Sequence, residues 1–572
     1  MDRRNFLESL ALAGSGVIAG SLEGFAVPSG RSLNVVASQL DRALLQADVA
    51  VVGAGLGGIA ATLSMLRNGL NVILVEETDW VGGQLTQQGV PADEHSWIES
   101  HGAPLSYRNF RERIREYYRQ NYPLTLEARE NKFLNPGNGA VSRLCHEPKA
   151  ALSVFHQLLA PYLSNGQLTL LMEHKAFDAD ASETTVSTVR VQCLNTKTIK
   201  ILKSNYFIDA TELGDLLPIT STDHIIGTES KSQTGELHAP IYPDPENQQA
   251  FTTCFAIDYI EGEDFVQKPE GFSFWKKYIP DIVPRWSGHL LSLEYSDPRT
   301  LKSKLLGFDP TGAATNGTLN LWNYRRIIDR RNFETGFFES DISLVNWPQN
   351  DYMLGNLIGV SPSRFKDNIE HSKQLGLSLL YWLQTEAPRP NGGFGWRGLR
   401  LRKDIMGTSD GFAKYPYVRE SRRIKSEFTV LEQHIGQENR ALTAGIYEDA
   451  NKASEFFDSV GIGYYHIDLH PTTKVNYIDF PSLRFQIPLG ALLPIKMDNL
   501  LPANKNIGTT HITNGCFRLH PVEWSIGEAV GLLLVFCKSK NKIPREVRKN
   551  RSLLKEFQNL LREQGVETTW QN

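Results

Sequence analysis

Residues 48–83 read DVAVVGAGLGGIAATLSMLRNGLNVILVEETDWVGG, and their reading decides the fold. Val49, Ala50, Val51 and Val52 form a short apolar run rich in β-branched residues, which suits a buried parallel strand. Gly53, Gly55 and Gly58 follow at GxGxxG spacing, with Ala54 between the first two. The first glycine permits the tight turn, the second lets a diphosphate approach the backbone, and the third lets the helix pack against the strand. The spacing predicts a helix from there to Gly69, whose first N–H groups and dipole favour an anion. A second strand, Val72 to Val75, ends at Glu76, placed to take a ribose hydroxyl. Strand, glycines, helix, strand and acid in one register point to a bound adenosine with a free 2′-hydroxyl, hence FAD or NAD.

A chain of 572 residues exceeds one ordinary domain. Its 41% hydrophobic and 22% charged residues are those of a globular protein with a large core. With a net charge of −4 and acids and bases mixed throughout, no nucleic-acid partner is expected. Five scattered cysteines, without CxxC or metal-like spacing, exclude a dithiol redox pair and suggest no metal site.

Outward from the motif, the N-terminus MDRRNFLESLALAGSGVIAGSLEGFAVPSG carries paired arginines, an apolar run and Gly24-Phe25-Ala26 as a small-x-small cleavage site. This resembles a twin-arginine export signal over residues 1–26, despite Asp2 and Glu8, and implies an exported, periplasmic protein. An ordinary amphipathic helix on a cytoplasmic protein is the alternative. The apolar run is short for a membrane span, so none is expected after signal removal. Residues 27–46 read as a linker.

On the other side, Gly82 and Gly83 let the backbone pass close to a nucleotide, and a loop with Glu94 and His95 follows. Residues 107–120 look helical, with a basic and aromatic face expected to be solvated, and 148–164 suit a crossover helix. Runs at 168–174, 185–193 and 198–203 read as an antiparallel meander. Residues 206–215, YFIDATELGD, read as an apolar strand running into a turn with an acid. Residues 235–480, rich in Trp, Tyr and Arg, lack βαβ texture and read as an inserted substrate or cap domain. Near the end, Leu500 and Leu501 close a short strand. Pro521 opens a helix through Gly527 and Gly531, whose spacing allows close backbone packing. Residues 543–565 read as one amphipathic surface helix.

The order βαβ, helix, meander, strand-AT-x-x-GD resembles the glutathione-reductase superfamily of flavoproteins. KYPYVRESRRI (414–424), GIGYYHIDLHP (461–471), IPLGALLP (487–494) and the stretch from Arg518 to Gly531 resemble its FAD-dependent oxidoreductase family. The resemblance implies an α/β fold with a Rossmann-like FAD-binding domain of glutathione-reductase type, residues 47–234 and 481–540, around an inserted α+β substrate domain, with a C-terminal helix and tail at 541–572. It implies that Gly53, Ala54, Gly55, Gly58 and Glu76 hold the adenosine diphosphate half of FAD, that Gly82 and Gly83 lie along it, and that Asp215 stands near the ribityl and diphosphate region. Arg518, the turn to Glu523 and Gly527 belong to the cofactor-binding set, Arg518 near the isoalloxazine. Glu212 departs from the family's pattern, where a glycine commonly stands.

Flavin chemistry asks the protein for positioning, a proton acceptor and exclusion of water. His95, Arg419 and His470 are the catalytic candidates. The Arg419, Glu420, Arg422, Arg423 cluster reads equally as an anion site and as an internal salt-bridge network. NWPQNDY (346–352) offers amide, carboxylate and aromatic groups, and also suits an ordinary turn. The expected activity is hydride transfer between a small organic substrate and FAD, with an electron acceptor the sequence does not identify. The alternatives are a flavin reductase of fumarate-reductase-like type and a carbohydrate-active lyase or binding protein on the same fold.

Overall fold

The computed structural model describes residues 43–312, 317–446, 448–476 and 478–571. The signal-like segment and most of the expected linker lie outside them. The first strand, β1 (Ala43–Val52), starts within that expected linker. It is followed by α1 (Leu56–Arg67) and β2 (Val72–Val75), as the motif predicts. α2 (Leu105–Asn121) and α3 (Pro148–Ser164) precede β3 (Leu168–Leu171), β4 (His174–Ala181), β5 (Val186–Cys193) and β6 (Ile199–Asp209). One sheet takes these strands in the order β3-β2-β1-β6-β5-β4, and β15 (Leu500–Pro502) also pairs with β6. β1, β2, β3, β6 and β15 run parallel, with Val49 opposite Val72 and Leu500 opposite Phe207. β4, β5 and β6 run antiparallel.

The expected meander is thereby corrected. Glu173, at φ 58, turns the chain so that 168–174 splits between a parallel strand and an antiparallel one. Ile199–Asp209 form one long strand that belongs to both arrangements. α2 is also more deeply set than its composition suggests. Arg111 and Arg115 are buried and pair with Glu94 at 2.5 Å and Glu99 at 2.6 Å respectively, so the basic face is an internal ion network. The C-terminal segment is two helices, Pro544–Lys549 and Arg551–Glu563, broken where Asn550 accepts from the Ser552 and Leu553 N–H groups.

A second hydrophobic core gathers Phe255, Ile257, Trp322, Trp347, Leu379 and Trp396. It packs on an antiparallel sheet in the order β8 (Arg326–Ile328), β9 (Ile342–Val345), β7 (Phe255–Tyr259), β10 (Leu399–Leu401), and on α4 (Pro362–Thr385). Further on come β11 (Ser459–Gly463), β12 (Ile467–Leu469), β13 (Ile478–Phe480) and β14 (Phe485–Pro488). α5 (His511–Phe517) then leads through Arg518 into α6 (His520–Lys540).

α6 crosses α1 with backbone against backbone. A Cβ on Gly527 would stand 2.0 Å from the Gly57 carbonyl oxygen, and one on Gly57 only 1.7 Å from that of Ala503. No single helix among the described residues is long and apolar enough to cross a membrane. α5 and α6 pass that test only together, bent by 93°, and both are buried.

Candidate active site

At the C-terminal edge of the parallel strands, Gly53 turns the chain with φ +99, where a side chain would be strained and would meet the Ala210 carbonyl oxygen at 2.2 Å. A Cβ on Gly58 would reach the Gly53 carbonyl oxygen at 2.0 Å, so the third glycine closes helix onto strand. Ala54 donates its N–H to Glu76 Oε2 at 2.9 Å, and Thr78 donates its N–H and hydroxyl to Oε1. Burial pushes the Glu76 carboxyl up to about 7 despite these donors. Gly83 passes directly over Gly55: a Cβ on it would lie 2.7 Å from the Gly55 Cα.

Gly53, Gly55 and Glu76 line a cavity with His174, Thr211, Glu212 and Asp215. Asp215 also pairs with Arg422 at 3.2 Å. Behind it Asp209, absent from the expected set, accepts from Thr211 and the Leu216 N–H, and its burial pushes it up to about 7.

At the N-terminus of α1 the Gly57 N–H donates to Glu523 Oε1 at 3.2 Å, and Gln84 donates to the same carboxylate. That helix end therefore holds an anion, with the Glu523 carboxylate standing in for one. Beside it Lys505 pairs with Glu212, whose Oε1 is buried without a partner. Glycine cradle, ribose acid and anion-holding helix end together fit a dinucleotide. His174 is a wall of the same cavity. Its N–H donates to the Glu76 carbonyl oxygen at 2.8 Å, its Nδ1 lies 2.7 Å from the Met172 carbonyl oxygen, and its Nε2 is buried without a partner. A histidine at the start of a strand gives no sequence signal for that role.

A second cavity, of about 190 Å³, is lined by Asp93, by residues between Tyr295 and Asp479, and by Arg518. Arg419 pairs with Asp351 at 3.0 Å, Arg518 with Asp468 at 2.8 Å and Arg325 with Asp93 at 3.3 Å. Arg518 also donates to the Tyr417 hydroxyl at 2.7 Å. His470 joins two of these pairs: Nδ1 is 2.5 Å from Asp351 and Nε2 is 3.6 Å from Asp468. Burial raises both of these carboxyls, and opposing charge outweighs it. Arg419 and then His470 hold Asp351 below the usual carboxylate range, while His470 and then Arg518 hold Asp468 well below it. Nδ1 faces Asp351 and Nε2 faces Asp468, so the ring stands between two carboxylates. At the back, His520 Nδ1 accepts from the Asp93 N–H at 3.1 Å, and burial lowers it to about 4.

The structure brings Arg419 and His470, two of the catalytic candidates, together with Arg518 of the expected cofactor set, and Asn346, Trp347 and Asp351 of the NWPQNDY stretch join them. His95 is not. It sits among Trp97, Tyr464 and Trp570, with Nε2 3.1 Å from the Gly102 carbonyl oxygen, while neighbouring Glu94 pairs with Arg111. Desolvation lowers His95, as for a structural imidazole. Gly527 lies at the helix crossing and lines neither cavity. Arg423 is buried between Glu420 and Glu229, so that part of the arginine cluster is an internal network. Arg325 and Asp468 were not among the expected residues.

The sequence profile described as "FAD dependent oxidoreductase" matches residues 48–561. No protein of curated function matches the sequence. Solved structures with some likeness include a geranylgeranyl bacteriochlorophyll reductase-like protein from Thermoplasma acidophilum, with 9% identity over 92% of this chain and 85% of that one and a TM-score of 0.32. Quinol fumarate reductase FrdA from E. coli is 11% identical over 91% of this chain and 74% of its own, with a TM-score of 0.32. L-proline dehydrogenase from P. horikoshii is 17% identical over 33% of this chain, with a TM-score of 0.17, and the match spans only 25% of that protein.

Proposed function

The chain belongs to the FAD dependent oxidoreductase family, and from that premise we propose that it oxidises a small polar substrate held in the 190 Å³ cavity, with His470 taking the proton that accompanies the hydride. FAD is the cofactor, and when bound it supplies the hydride acceptor. Gly53, Ala54, Gly55, Gly58, Glu76, Gly82 and Gly83 hold its adenosine diphosphate half in a glutathione-reductase-type arrangement, and Asp215 stands at the diphosphate end. The unit around the second core is the substrate domain, and its junction with the first shields the reacting groups from water.

The observation that carries this reading is the His470–Asp351 contact within the arginine-lined cavity. Asp351 orients the imidazole and stabilises its protonated form, while Arg419 and Arg518 hold the substrate's polar groups. The same imidazole run in reverse delivers a proton, so the geometry serves reduction of a substrate equally well.

His470→Asn is expected to keep FAD at wild-type occupancy and to slow anaerobic bleaching of the flavin by a substrate about 10²- to 10⁴-fold. An unchanged bleaching rate would remove His470 from the chemistry. We also propose export by the twin-arginine route. Arg3→Lys with Arg4→Lys should leave the protein in the cytoplasmic fraction, and undiminished export would overturn that assignment.

A further inference from the structure

We propose that the molecule bound in the second cavity is an uncharged polyhydroxy compound, a sugar unit or polyol, that gives hydroxyl hydrogens to Asp93 and Asp468. This rests on the reading of that cavity as the substrate site. Both carboxylates line the cavity, and each gives one oxygen to an arginine: Asp93 Oδ1 to Arg325 at 3.3 Å and Asp468 Oδ2 to Arg518 at 2.8 Å. The other oxygen of each accepts no hydrogen bond among the described residues and keeps open surface. Asp468 is held well below the usual carboxylate range, so it stays an acceptor. The hydroxyls of Tyr324 and Tyr465, half-buried in the same wall, likewise keep open surface and make no hydrogen bond among the described residues. The polar groups that a ligand can reach there are thus two carboxylate oxygens and two phenol hydroxyls.

The charges around them are already matched, and that selects the ligand. Arg325, Arg419 and Arg518 have Asp93, Asp351 and Asp468, and Asp479 has Arg299 at 3.4 Å. A carboxylate or phosphate would set a new anion against the open oxygens of Asp93 and Asp468. An ammonium would bring a charge whose counter-ions are taken by arginine. A hydroxyl brings the hydrogen those oxygens accept without a charge, and a hydrogen bond to an ionised acceptor is among the strong ones. Its own oxygen accepts in turn from Tyr324 or Tyr465. Leu306, Leu319 and Leu321 on the same wall suit the C–H faces that sugars and polyols also carry. A cavity of about 190 Å³ limits the ligand to a single sugar unit or a polyol of similar size.

The test titrates FAD-loaded protein with glucose, with sorbitol, and with two relatives of sorbitol changed at one end, gluconate as the carboxylate and glucamine as the ammonium. Binding is read from the visible flavin spectrum and the melting temperature. Glucose or sorbitol is expected to bind saturably, and gluconate and glucamine at least about tenfold more weakly than the better of the two. Asp468→Asn takes the counter-charge from Arg518, so it should narrow the preference for the neutral ligand over gluconate about tenfold or more. Tyr465→Phe keeps the ring and removes only the hydroxyl, and should weaken the neutral ligand about two- to tenfold at unchanged FAD content. Binding of neither glucose nor sorbitol, or of gluconate or glucamine as tightly as either, overturns the inference. So does an unchanged preference in Asp468→Asn together with unchanged affinity in Tyr465→Phe. A preparation that takes up no FAD overturns the functional reading instead, and the melting-temperature arm still reads binding of the neutral ligand.

Discussion

Gly527→Val is expected to yield no folded protein. Three backbone segments meet at that point, with the Ala503 carbonyl against Gly57 and the Gly57 carbonyl against Gly527, and no side chain stands between them. Unlike the far end of a flexible side chain, backbone inside two packed helices and a sheet cannot give way locally. Separating α1 from α6 would open the largest helix–helix contact among the described residues. The cost is on the order of 5 kcal/mol or more, comparable with the whole stability of many domains. Gly445→Ala is the control, since a Cβ there meets only Glu448 at 3.6 Å. Soluble yield and the melting curve decide: a Gly527→Val protein that melts like wild type would mean that the helices can move apart at little cost.

Glu523→Gln is expected to change how FAD binding depends on pH. Glu523 is fully buried, and desolvation, partly offset by Lys505, pushes its carboxyl up to about 7. A diphosphate at the α1 N-terminus must share that place with Glu523, so it favours the protonated form. Wild-type affinity should therefore fall as pH rises past about 7, by up to about tenfold per pH unit, and the variant should lose most of that slope. Titration of apoprotein by quenching of flavin fluorescence measures it, and an identical slope in the variant would show that the acid and the diphosphate do not compete.

The same sign governs the apoprotein's stability. Glu76, Asp209 and Glu523 all stand above their unfolded values, at about 7. Their contribution is fully present below the ordinary carboxylate range and is lost as pH rises to about 7. His146, His434 and His520, lowered by burial to about 4, act with the opposite sign over the same interval, so the acid contribution is read as a difference: the wild-type melting temperature should fall relative to that of Glu523→Gln as pH rises to about 7. A difference that stays constant across that interval would count against the Glu523 shift.

What could be read from the chain follows the range of the interactions involved. β2 at Val72–Val75 and α3 at Pro148–Ser164 fall where local pattern puts them, because strand runs and helix periodicity are written in neighbouring residues. Glu76 likewise reaches Ala54 as the motif's spacing implies. His95 misled for the same reason: Glu94 beside it looks like a relay partner in sequence, yet the two side chains turn to different neighbours. Gly527 was legible as a packing residue, and it stands at the crossing of α1 and α6. The second cavity was legible only in part. Arg419, His470 and Arg518 lie in stretches that resemble a family, whereas Asp351 and Arg325 enter through contacts between distant residues, which no window of sequence contains. The meander failed at Glu173, where one left-handed residue redirects a run that composition presents as continuous.

The meeting of Gly57 with Gly527 also sets a timetable. A ribosome adds roughly 5 to 20 residues per second, so the glycine motif waits on the order of a minute before its partner helix exists. Until then α1 lacks the helix it packs on, β6 lacks β15, and Glu523 has not been made. The packing of α1 and β6 on their full set of neighbours is therefore completed only late in synthesis.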